Sequence, residues 1–184
     1  FKQRQGRLSV NAGLFVERIT EMAETLLDRP LTTETAMAML IPLCYALSCR
    51  LCELDETMRT QASGHVANPW RDFKIVPSGV VQHNGAKNHG EVRAPRRKCL
   101  LLDAELVKRM LKYVHLPGAF PSRDLLPSFT AVKYFHHRPR GSTHEESRFA
   151  RIMREFGVDE AITLREEPNL HFNCIRSISL TPFP

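Results

Sequence analysis

The sequence predicts a mainly α fold with a small antiparallel β-hairpin sheet, an α+β arrangement. Two stretches, Leu14 to Leu27 and Ala104 to Val114, repeat their apolar residues at the 3.6-residue period of an amphipathic helix. Between them, short β-type runs are punctuated by the turn-formers Pro77-Ser78-Gly79 and Asn84-Gly85. The 184 residues are 42% hydrophobic and 25% charged, a composition that can bury one sizeable core.

In chain order, Val16, Ile19, Met22, Ala23 and Leu26 share the face of a first helix, which Asp28-Arg29-Pro30 ends. Thr32 or Thr33 caps a second helix, with Glu34 in its first turn. That helix runs to about Glu53, is apolar on most sides and therefore buried, and Pro42 is expected to kink or split it. Strands follow over Phe73–Val76, Val80–Gln82 and Val92–Leu102, with Lys87 near a hairpin tip. Asp103 caps the helix Ala104–Val114. Four prolines and two glycines make 116–142 a loop with one short helical piece. Thr143 to Phe156 is helical, a short segment covers Glu160–Leu164, and Leu170–Leu180 begins another helix. We divide the chain into a leading helix and linker, residues 1–30, and a main domain, residues 31–184.

Several function classes fall away. No uncharged apolar run reaches the ~18 residues of a membrane span, so no membrane partner is expected. Five cysteines, an odd number without a secretory signal, point to reduced thiols and a cytoplasmic, nucleoid or nuclear location. Cys49-x-x-Cys52 lacks the second pair of a zinc ribbon, and adjacent His136 and His137 point apart, so neither a metal nor another cofactor is expected. The chain opens at Phe1, which reads as a fragment.

Charge points to a partner. Residues 1–60 hold 7 Lys and Arg against 8 Asp and Glu, whereas residues 84–154 hold 15 against 6, a net of +9. Such a concentration is the footprint of a polyanion-binding face, and double-stranded DNA is the partner expected. Arg93, Arg96, Arg97 and Lys98 suit phosphate contacts beside the hairpin. Lys133, Arg138 and Arg140 lie in a run that mixes aromatics and cations, and Arg148 and Arg151 follow one helix with Arg154.

Three stretches in order resemble the tyrosine recombinase (phage integrase) catalytic domain. In the first, Leu31-Thr32-Thr33-Glu34 opens a buried helix that leads to Arg50-Leu51-Cys52-Glu53-Leu54, an R-x-x-E-L signature. In the second, Val80 to Lys87 leads through a turn into Glu91-Val92-Arg93-Ala94-Pro95 and then a helix. In the third, Leu170-His171-Phe172-Asn173-Cys174-Ile175-Arg176 falls at the H-x-x-R box, with Asn173 at the histidine position and His171 two residues early. The resemblance implies that Arg50 and Arg176 clamp a phosphodiester, with Glu53 holding Arg50, Lys87 protonating the leaving 5′ oxygen and either His171 or Asn173 in the place of the family histidine. Two fixed guanidiniums suit the charge that gathers on phosphoryl oxygens. The implied reaction is cleavage and rejoining of DNA through a phosphotyrosine in integration, excision or resolution, with self-association on DNA. None of Tyr45, Tyr113 and Tyr134 stands at the family's nucleophile position, which is expected beyond Pro184. Two non-enzymatic alternatives remain: a relative that only binds DNA as an accessory or regulatory factor, and a ribbon-helix-helix module in which Arg7-Leu8-Ser9-Val10 and the next two helices pair with a second copy.

Overall fold

The computed structural model describes residues 8–62, 73–82, 96–122, 125–138, 146–164 and 170–180. Its order is β1 (Leu8–Val10), α1 (Ala12–Leu27), α2 (Thr33–Leu47), α3 (Leu51–Ala62), β2 (Phe73–Val76), β3 (Gly79–Gln82), β4 (Arg96–Lys98), α4 (Ala104–Val114), α5 (Ala131–His136), α6 (Arg148–Glu155), a 3₁₀ turn (Val158–Ala161), β5 (Ile162–Leu164) and α7 (Asn173–Leu180). The fold is mainly helical with small antiparallel sheets, as the periodicities predict.

Helix α2 is the axle of the core. Every residue from Ala36 to Leu47 is buried, and α1, α4, α7 and α3 all pack on it. Its start is a reciprocal cap: the Thr35 amide donates to Thr32 Oγ1 at 3.1 Å, and the Thr32 amide donates to Thr35 Oγ1 at 2.9 Å. Pro42 does not split the helix, one of the two outcomes expected of it. An internal proline costs about 3 kcal/mol, yet burying one large apolar side chain returns about 1.5–3 kcal/mol, and α2 buries one at nearly every position. The break comes at Ser48 instead, which takes the left-handed conformation (φ 49°, ψ 45°) and lets a new helix start at Leu51.

Helix α1 begins two residues earlier than Leu14, because Asn11 Oδ1 accepts from the Leu14 amide at 3.2 Å. Its Phe15 meets Tyr45 edge-on, ring centroids 5.0 Å apart, so residues of the leading segment enter the same core as α2. Asp103 caps α4 as the sequence requires, accepting from the Leu106 amide at 3.1 Å, and Leu106, Val107, Met110, Leu111 and Val114 turn inward. Ser147 caps α6: its Oγ accepts from the Ala150 amide, and the helix starts at Arg148, while the first residues of the expected helix, 143–145, lie outside the described residues. The short helical piece in the proline-rich stretch is α5, whose Phe135 packs with Phe149 and Phe172.

Two sheets form. In the first, β2, β3 and β4 run antiparallel with β3 in the middle, Val80 facing Ile75 on one side and Lys98 on the other. The third strand is shorter than Val92–Leu102: it is described over Arg96–Lys98, and Cys99 to Leu102 leave the ladder. Gly79 (φ +140°) packs against this strand so closely that a Cβ there would stand 2.2 Å from the Lys98 carbonyl oxygen, which only glycine permits. In the second sheet, β1 pairs with β5, Leu8 opposite Leu164 and Val10 opposite Ile162. The strand that a ribbon-helix-helix module would pair with a second copy is thus paired within its own chain.

Candidate nucleic-acid interface

The turn that ends α2 meets β4, and α2 itself packs on α7. The left-handed turn at Ser48 exposes its carbonyl to the side of the sheet, and Lys98 Nζ donates to that oxygen at 2.9 Å. Arg50 stands two residues on, partly buried, where the chain enters α3. The Glu53 carboxylate is buried and accepts from the backbone amide of Arg50 at 3.0 Å, so it caps the helix rather than bonding the guanidinium.

Strand alternation decides which basic residues of β4 face this turn. Arg97 is exposed, whereas Arg96 and Lys98, two apart and on one face, are half-buried. Burial pushes the Lys98 ammonium below its ordinary value. The guanidiniums of Arg176, on the first turn of α7, and of Arg96 push the same way, opposed by the Cys49 thiol and the Glu53 carboxylate. Burial is the largest of these causes, and Arg176 and Arg96 contribute least. Arg50, Arg96 and Arg176 form no ion pair among the described residues, and the one buried carboxylate beside Lys98 serves a helix end. Beneath the turn, burial and the neighbouring Cys49 push the Cys44 thiol well up, so it stays a neutral packing group.

A second basic group lies on α5 and α6, and part of it is spoken for. Arg148 stacks on the Tyr134 ring, 4.1 Å from its centroid, and donates to the Tyr134 carbonyl at 3.1 Å. Lys133 Nζ donates to the Ser128 carbonyl at 3.1 Å, and Arg154 pairs with Glu146 at 3.0 Å. Arg138 and Arg151 are exposed to solvent. His171 precedes α7, where its Nδ1 accepts from the Asn173 amide at 3.3 Å, and its ring stacks on His136 with centroids 4.1 Å apart. Lys87, Arg93 and Arg140 lie outside the described residues.

All three tyrosines are engaged. Tyr45 is fully buried, the Tyr113 hydroxyl donates to Thr35 Oγ1 at 2.7 Å, and Tyr134 lies under Arg148. Burial pushes the phenols of Tyr45 and Tyr134 up, away from the phenolate a nucleophile needs. Among the described residues, no three His, Cys, Asp or Glu side chains converge as a metal site, and no helix is long and apolar enough to cross a membrane.

Two features escaped the sequence. Lys98 reads there as one more surface cation in Arg96-Arg97-Lys98, although strand alternation already separates Arg97 from its neighbours. The Arg148–Tyr134 stack joins residues 14 apart on two different helices and leaves no periodic signal. Compared with known proteins, the chain matches no protein-family model, no curated protein and no solved structure.

Proposed function

We propose that the chain binds duplex DNA, holding the phosphate backbone with the cations gathered around the Ser48 turn, as in the tyrosine recombinase domain that it resembles. The observation that carries this reading is Lys98, half-buried on the Ser48 carbonyl with Arg176 and Arg96 acting on it. Burying the Lys98 ammonium near like-charged Arg176 and Arg96 costs free energy in the free protein, a cost the Glu53 carboxylate opposes, and a bound phosphate would add a further counter-charge. The +9 excess over residues 84–154 adds the long-range attraction that steers DNA to the site. In this reading Arg50 and Arg176 take the phosphoryl oxygens in bidentate fashion and exposed Arg97, Arg138 and Arg151 extend the grip along the backbone.

Fluorescence anisotropy with a labelled duplex over a range of salt tests the proposal. Several phosphate contacts give a log–log slope of several units, about 0.9 for each. Arg50→Ala and Arg176→Ala should each flatten it by about one unit. Absent or salt-insensitive binding removes the reading.

The engaged tyrosines favour a narrower version, in which these three residues take no part in strand cleavage. Full recombinase chemistry, with a phosphotyrosine and self-association on DNA, requires a different tyrosine at the phosphate. A nicked suicide substrate traps any covalent intermediate. The expected result is DNA binding without an adduct, and an adduct abolished by Tyr134→Phe or Tyr113→Phe would reverse the narrower reading.

A further inference from the structure

On a different part of the molecule, β2 and α4 enclose a groove of about 360 Å³. Its strand wall is Phe73–Ile75, and its helix wall is Glu105, Lys108, Arg109 and Lys112. The helix residues are spaced i, i+3, i+4 and i+7, one stripe of α4 opposite the face that enters the core. We propose that this groove docks an extended acidic peptide, which adds as a strand to the open edge of β2.

Three observations converge on that occupant. First, β2 is an edge: the sheet order is β2-β3-β4, and among the described residues β2 has a ladder partner on one side only. Its outer amide and carbonyl groups are a template for another strand. Second, the groove touches three consecutive residues of β2. Successive side chains point to opposite faces, so a cavity that meets all three runs along the strand rather than over one face. Third, the charge is one-sided. Glu105 is paired with Lys108 at 3.1 Å, while Lys74, Arg109 and Lys112 are exposed and meet no carboxylate among the described residues.

The chemistry separates a peptide from nucleic acid. Between the cations the surface is apolar, made by half-buried Ile75 and the aliphatic stems of the lysines. A peptide that alternates acidic and apolar residues sets one side chain against Ile75 and the next toward Arg109 and Lys112, while its backbone completes the ladder. A duplex offers neither a ladder partner nor an apolar side chain. The inference is independent of the DNA reading at the Ser48 turn.

The test uses the full chain and a labelled synthetic peptide alternating glutamate and valine, followed by anisotropy. The acidic peptide should bind, and a lysine–valine peptide should not. Arg109→Glu and Lys112→Glu, both on the exposed stripe, should weaken binding by about tenfold or more with an unchanged circular dichroism spectrum. N-methylation of alternate peptide amides should abolish binding, because it removes the ladder donors. Equal binding of the N-methylated peptide, or indifference to both charge reversals, overturns strand addition. Displacement of the peptide by duplex DNA, with Arg109→Glu weakening duplex binding equally, assigns the groove to DNA instead. Failure of the acidic peptide to bind ends the proposal.

Discussion

Lys98 and Ser48, fifty residues apart, are joined by a single hydrogen bond of 2.9 Å from an ammonium to a backbone carbonyl. The bond ties the outer strand of the small sheet to the left-handed turn between α2 and α3. It also holds a cation within range of Arg176. Lys98→Met keeps the aliphatic stem but leaves the Ser48 carbonyl without its donor, a loss of about 1–3 kcal/mol when such a group is buried. Duplex affinity should fall by more than one phosphate contact, because the strand that carries Arg96 loosens as well. Urea unfolding and the salt slope measure the two effects separately; full stability with only a unit change in slope would show that the bond holds nothing in place.

Gly79 controls the same strand from its other side. A methyl group there would overlap the Lys98 carbonyl, and the φ of +140° strains any other residue. Gly118 offers the comparison, since its φ is +85° but nothing lies within 4 Å of the added Cβ. Gly118→Ala should cost only backbone strain, about 1–2 kcal/mol. Gly79→Ala should cost more, and should also weaken DNA binding by displacing β4. Equal destabilisation by the two substitutions would contradict the close approach.

Arg148 and Arg151 lie on one helix but should behave differently. The Arg148 guanidinium is stacked on Tyr134 and bonded to its carbonyl, whereas Arg151 is exposed. Arg148→Lys keeps the charge and loses the planar stack, so stability should drop by about 1 kcal/mol. Arg151→Ala should leave stability unchanged and reduce the salt slope by about one unit. Thermal melts and DNA titrations on both variants decide the matter, and an exchange of the two phenotypes would refute the assignment.

His136 gives the fold an acid-sensitive joint. Burial holds its imidazolium below the ordinary 6.5, and Arg138 adds to the shift. The unfolded chain therefore takes up a proton first as pH falls below 6.5, and the folded state loses stability through the lowered pKa. Well above 6.5 both states are neutral at this site and it contributes no slope. His136→Gln should flatten the decline in stability as pH falls below 6.5. Urea midpoints across that range check it, and an unaltered decline would place the acid sensitivity elsewhere.

The sequence by itself determined the elements whose cause is local. Asp103 specifies the start of α4 through one side-chain bond, the apolar repeat of α1 specifies its buried face, and Pro77-Ser78-Gly79 specifies the first hairpin turn. The charge excess is also a property of composition and needs no fold. What only the tertiary structure decided depends on partners far away in the chain. Strands of three residues carry no periodicity, so the pairing of β1 with β5 was illegible until both were in place. Pro42 stays inside a helix because four elements pack around it, which outweighs a local preference. Arg96, Arg97 and Lys98 are three like cations in the sequence. Pleating and the reach of one side chain to the Ser48 carbonyl leave Arg97 in solvent and Lys98 half-buried against the turn between α2 and α3.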